Sequence, residues 1–134
     1  MTNEMVNVRY MVHDVDEAIA FYTKVLGFEM LTNAAPAFAD VKRGTLRLLL
    51  SGPASSAGRP MPDGAKPGPG GWNRIHFIVD DLDAEVARLR DAGAQFRNDI
   101  LQGPGGKQIL LEDPSGNPIE LFEPILQEAR LTST

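Results

Sequence analysis

The sequence contains no cysteine. That excludes a disulfide framework, a thiolate nucleophile and any zinc or iron–sulfur centre held by sulfur. Histidine occurs only at His13 and His76, so a hydrolytic triad or an imidazole-rich metal site has little to draw on. No Gly-x-Ser-x-Gly elbow is present. Gly103-Pro104-Gly105-Gly106 lacks the Gly-Lys-Ser/Thr ending of a phosphate loop and reads as a hairpin. No apolar run approaches the roughly 20 residues of a membrane-spanning helix. Met1-Thr2-Asn3-Glu4 lacks the basic and apolar regions of a signal peptide. Basic residues are outnumbered: 13 Lys and Arg face 18 Asp and Glu, and the net charge of −5 disfavours non-specific binding to nucleic acid or anionic membranes. The expectation is a cytoplasmic protein with no nucleic-acid or membrane partner.

What is present is ordinary globular composition, 43% hydrophobic and 23% charged, in 134 residues, enough for one domain with a proper core. The chain also says one thing twice. Val12-His13-Asp14-Val15-Asp16 opens a helical stretch closed by Leu26-Gly27-Phe28, and 67 positions later Val79-Asp80-Asp81-Leu82-Asp83 opens another closed by Ala92-Gly93-Ala94. A doubled unit predicts two similar modules about a pseudo-twofold axis, with a site in the cleft between them.

In the first module Val6, Val8, Tyr10 and Val12 alternate with Asn7, Arg9 and Met11 as in a strand. Asp14 is placed to cap a helix whose apolar face is Val15, Ala18, Ile19, Tyr22, Val25 and Leu26, and Gly27 supplies a left-handed stop. Short strands follow at 28–31, 38–42 and 46–50, separated by turn residues. The second module repeats the order: a strand at 74–79, Asp81 as cap, Leu82, Val86 and Leu89 on one helical face, then strands near 95–98, 107–112 and 118–122. The last two flank Asp113-Pro114-Ser115-Gly116-Asn117, a strong turn signal. Each half reads β-α-β-β-β: module one about 5–50, module two about 72–124, within a single domain of α+β class. Residues 51–71, with six glycines and five prolines, read as a linker, or more sharply as a lid over a pocket. Residues 125–134 read as a short helix or a tail.

These signatures, with Phe21-Tyr22 and the run Asp113-Pro114-Ser115-Gly116-Asn117-Pro118-Ile119-Glu120-Leu121-Phe122, resemble the vicinal oxygen chelate superfamily, the glyoxalase I, bleomycin-resistance and extradiol dioxygenase group. The resemblance spans roughly residues 5 to 124. It implies paired modules forming curved mixed sheets around a cleft, and a homodimer. It also implies four metal-ligand positions, which fall here on Asn7, Leu49, Arg74 and Glu120, Leu49 being judged from the spacing of Pro53 and Pro124. One carboxylate, an amide and a guanidinium that never deprotonates make a poor donor set for a hard divalent ion. No cofactor is therefore expected. The alternative is a divalent metal held at a shifted site by His76 and Glu120.

Strand alternation puts Asn7, Arg9 and Met11, then Arg74, His76 and Ile78, and Glu120 with Phe122 on the face away from the helices, where Arg47 and Leu49 join them. The expected ligand-binding set is Asn7, Arg9, Arg47, Leu49, Trp72, Arg74, His76, Glu120 and Phe122, a mixed lining suited to an organic molecule. Each has a plainer reading. Arg74 and Glu120 would form a salt bridge filling the lost metal position rather than clamping an anion. His76 would be a hydrogen-bond partner, and His13 a solvated corner residue. Trp72 would be a core plug or a stacking surface, and Phe38 and Phe122 would be core. The leading expectation is a metal-independent small-molecule binder, like the drug-sequestering antibiotic-resistance members of the family. The alternatives are a metal-dependent lyase, isomerase or dioxygenase using Glu120 and His76, and a metal-free enzyme with one of them as general base.

Overall fold

A computed structural model describes residues 5–125; of the helix or tail expected at 125–134, all but Ile125 lies outside them. The chain divides into two compact units. One runs to Gly71 and includes Asp113–Asn117; the other comprises Trp72–Glu112 and the chain from Pro118.

In the first unit, strand β1 (Val6–Met11) leads into helix α1 (Val15–Ala20), followed by β2 (Glu29–Ala34), β3 (Phe38–Arg43) and β4 (Leu46–Ser51). The sheet order is β1-β4-β3-β2, with β1 parallel to β4 and the other pairs antiparallel. Asp14 caps α1 as expected, its carboxylate accepting from the Glu17 N–H at 3.1 Å. The apolar periodicity then runs through a π-helical turn at Phe21–Val25 instead of continued α-helix. There the Leu26 N–H donates to the Phe21 carbonyl five residues back, which widens the helix and turns both Phe21 and Tyr22 into the core. Gly27, at φ 71°, makes the stop. The alternation in β1 and β4 sends Tyr10, Leu48 and Leu50 inward with Val12, Val15, Val41 and Phe28. The opposite face carries Asn7, Arg9, Arg47 and Leu49.

Two expectations for this half are corrected. Strand β2 continues beyond Leu31 because Asn33 and Ala34 pair with Ala39 and Phe38, so the reversal shrinks to three residues. Phe38 is half-buried rather than core. Residues 51–71 also carry local order. Gly52 donates to the Ala37 carbonyl, Ser55 caps a 3₁₀ turn at Ser56–Gly58, and Gly70 donates to Asn117 Oδ1.

The second unit repeats the plan: β5 (Ile75–Ile78), α2 (Leu82–Asp91), β6 (Gln95–Phe96), β7 (Leu101–Gln102), β8 (Gly106–Glu112) and β9 (Pro118–Pro124). Its order, β5-β9-β8-β6, matches the first sheet, again with the first and last strands parallel. Asp81 accepts from the Ala84 N–H at 3.0 Å, and Gly93 stops the helix at φ 86°. Ile75, Leu82, Val86, Leu89, Ile109, Leu111, Ile119 and Leu121 form the core. The strand expected at 95–98 ends at Phe96, because the Asn98 side chain takes the Leu110 N–H. The chain then re-pairs at β7, a strand missed because two residues show no periodicity. The glycine hairpin holds: Gly103 donates to the Gly106 carbonyl.

Candidate functional site

In the second unit, the sheet face away from α2 gathers most of the candidates. In the β5–β9 register His76 lies opposite Glu120 and Ile78 opposite Phe122. Glu120 is buried, and its Oε1 receives Arg74 Nε at 3.0 Å and Arg74 Nη2 at 2.9 Å. His76 Nε2 is 3.5 Å from Glu120 Oε2. The His76 ring lies against that of Phe122, centroids 5.2 Å apart. Phe122 is therefore half-buried on this face and not a core residue.

Arg74 also donates from Nη1 to the Trp72 carbonyl at 3.2 Å. Trp72 is no core plug: it is 69% exposed. Arg97 lies over its ring at 4.7 Å from the centroid, and Arg97 Nε donates to Glu112 Oε2 at 2.7 Å. Glu112 shares the face of Glu120, because β8 places Leu110 opposite Glu120 and Glu112 is two residues on. A chain of contacts thus runs Glu112–Arg97–Trp72–Arg74–Glu120–His76–Phe122. Arg97 and Glu112 escaped the sequence reading. Both follow from alternation: Glu112 through β8, and Arg97 two residues beyond Gln95, the partner of Glu112, with its N–H still donating to the Leu110 carbonyl. Next to them, Arg90, Ala94, Phe96, Arg97, Asn98 and Asp99 line an open hollow of ≈ 400 Å³.

The first unit holds Asn7, Arg9, Arg47 and Leu49 on the corresponding face of its own sheet. Arg47 is neutralised by buried Asp40, with Nε 2.8 Å from Oδ2. Arg9 donates to the neutral Ser51 hydroxyl at 2.8 Å. In the β1–β4 register Leu49 lies opposite Arg9, just as Glu120 lies opposite His76, so Leu49 is the positional counterpart of Glu120. Leucine has no donor atom, and Arg74 already occupies Glu120 with a permanent positive charge. Among the described residues no group of three or more His, Asp or Glu side chains stands close enough to hold a metal ion. These side chains do not fit a divalent cation.

His13 stands at the strand-to-helix corner, its N–H donating to Ser115 Oγ. The Asp113–Asn117 turn forms a hub in the first unit. Asp113 is buried, and its carboxylate accepts from the Ser115 and Asn117 N–H groups, Asn117 Nδ2 and the Tyr22 hydroxyl at 2.8 Å. Burial, then the adjacent Asp113 charge, pushes the Tyr22 hydroxyl well above its ordinary pKa of 10.0. The sequence marked this motif as a turn but not as a clasp on the helix.

Residues 5–121 match the family model described as Glyoxalase/Bleomycin resistance protein/Dioxygenase superfamily. A protein of Mycobacterium tuberculosis (strain CDC 1551 / Oshkosh) named "Putative glyoxylase CFP32" is 32% identical over 112 residues, 82% of this chain and 41% of that protein. The chain thus spans less than half the length of the curated relatives it matches. Lactoylglutathione lyase from Agrobacterium tumefaciens superposes with a TM-score of 0.72 at 25% identity, covering 91% of this chain and 94% of that one. TnmS3, an antibiotic binding protein from Streptomyces sp. CB03234, gives 0.69 at 26% identity, covering 92% and 97%.

Proposed function

The chain belongs to the glyoxalase/bleomycin resistance protein/dioxygenase superfamily, and within that family we propose that it binds a small organic molecule without a divalent metal, on the open face around Arg74, His76 and Glu120. The ion pair of Arg74 with Glu120 carries this reading. Glu120 is the one carboxylate among the positions where the family places metal ligands, and its Oε1 is already taken by two guanidinium nitrogens. A cation entering there would have to displace a charge-assisted pair and then sit beside a fixed positive group. The mixed surface of guanidinium, imidazole, carboxylate and aromatic rings suits an organic ligand. The likeness to an antibiotic binding protein supports sequestration as the biological role.

The test is a thermal-shift and calorimetric screen of the full chain against aromatic and cationic antibiotics, with and without EDTA. Stabilisation that survives EDTA is the expected result. A metal-dependent lyase is the second reading, favoured by the likeness to lactoylglutathione lyase and by the approach of His76 to Glu120. Stoichiometric metal in protein purified without chelators, with EDTA-sensitive formation of lactoylglutathione, would establish it and overturn the first.

A further inference from the structure

We propose that Trp72 is a stacking platform for the planar aromatic part of an acidic ligand, with Arg97 backing the ring and Arg74 meeting the acid group. The inference rests on the reading that this face takes a small organic molecule, and it adds the ligand's class. An indole on a surface is unusual unless something covers it, and Trp72 is the most exposed large hydrophobic side chain of the described residues. It is also held in place rather than left loose. The Arg97 guanidinium lies over one ring face and is itself fixed by Glu112. The Trp72 carbonyl is held by Arg74 Nη1. A ring whose orientation is set in advance loses little freedom when a second ring stacks on it.

The charges select the partner. With a guanidinium on one face, the indole is a poor receiver for a second cation on the other, whereas a planar π-system still gains contact and dispersion. Among the described residues Arg74 spends three N–H groups, two on Glu120 and one on the Trp72 carbonyl, which leaves guanidinium N–H groups for a carboxylate or phenolate. Glu112 and Glu120 each neutralise one arginine, so an added acid meets no uncompensated negative group in the chain of contacts. Glu112 is a positioning residue: it acts through Arg97 and touches no ligand.

Trp72 is the only tryptophan, so indole emission reports this ring alone. The probes are 2-naphthoate (planar acid), 2-(aminomethyl)naphthalene (planar cation) and cyclohexanecarboxylate (non-planar acid), titrated into the full chain by calorimetry, with indole emission read on the probe-free protein. We expect 2-naphthoate to bind at least about tenfold more tightly than either of the others. Trp72→Ala should weaken it about tenfold, Trp72→Phe should restore most of the loss, and Glu112→Gln should raise acrylamide quenching of Trp72 by freeing Arg97. Circular dichroism checks that each variant folds; the exposed position of Trp72 makes its removal benign to the core. Equal affinity of Trp72→Ala and the parent for 2-naphthoate, or preference for the cation, would overturn the inference. If antibiotics from the screen still stabilise both proteins alike, the general binding reading stands while this one falls. If no compound of any class binds the parent, both fall.

Discussion

The two units share a strand order, a capping aspartate and a glycine stop, yet carry different chemistry at matching positions. Leu49 stands where Glu120 stands, Asn7 where Arg74 does, and Arg9 where His76 does. On the open faces, Arg47 and Arg74 are each neutralised by a buried carboxylate, while Arg9 meets a serine hydroxyl among the described residues. The helices differ too: Tyr22 and Leu89 occupy matching places, one tied to Asp113, the other purely apolar. Backbone plan and surface chemistry are therefore separable in this chain. Alternation, caps and glycine stops are enough for the plan, so the outward positions are free to diverge.

The largest energetic contrast between the units lies at the helices. Asp113→Ala leaves the buried Tyr22 hydroxyl and two turn N–H groups without their acceptor, and should cost about 3–5 kcal/mol of stability by urea unfolding. Leu89→Ala, at the matching site, removes a fully buried side chain and should cost about 2–4 kcal/mol through the cavity it leaves. A loss below 1 kcal/mol for Asp113→Ala would show that the clasp is incidental to the helix.

Tyr22 also makes the two helices differ in pH response. Its folded pKa is raised above 10.0, so the protein holds that proton where the unfolded chain releases it. The stability it contributes is intact below about pH 10 and is lost as pH climbs toward the folded value. Absorbance at 295 nm should show one of the two tyrosines ionising only with unfolding, and Tyr22→Phe should remove that alkaline slope. A tyrosine that titrates freely in the folded protein would contradict the buried pairing.

How much of this was legible beforehand follows the same division. Local signals are readable: most of the strands, both caps, both glycine stops, and the matching of Leu49 to Glu120, which the strand registers reproduce. Contacts made across the sequence are not. Tyr22 meets Asp113 from 91 residues away. Arg97 lies over Trp72 from a different segment of the chain, and a two-residue pairing such as β7 has no period to detect. The π-helical turn was hidden because its apolar spacing is indistinguishable from that of an α-helix over a few residues.

A smaller effect separates the ion pairs on the two sheets. Asp40 accepts from the Thr32 N–H as well as from Arg47 and is almost wholly buried, whereas Glu120 serves a half-exposed Arg74 and an exposed His76. Asp40→Asn should cost about 2–3 kcal/mol and Glu120→Gln about 1–2 kcal/mol, because the Asp40 carboxylate is the more deeply buried of the two and serves a backbone N–H besides its guanidinium. Equal losses in denaturant unfolding would mean that burial is not what distinguishes the pairs.

The smallest effect belongs to α2, which carries an exposed Glu85–Arg88 pair three residues apart where α1 has no basic residue in its last turn. The hydrogen bonds that Arg88 donates to Glu85 raise the Arg88 pKa, but both side chains face solvent and the attraction is screened. Arg88→Ala should therefore cost only about 0.3–0.5 kcal/mol at low salt and nothing measurable in 1 M salt. That near-silence is informative: it sets the scale of a surface pair against which the losses at Asp40 and Glu120 are read. If Arg88→Ala cost as much as Glu120→Gln, the Arg74–Glu120 pair would be an ordinary surface contact, too weak to keep a cation from Glu120.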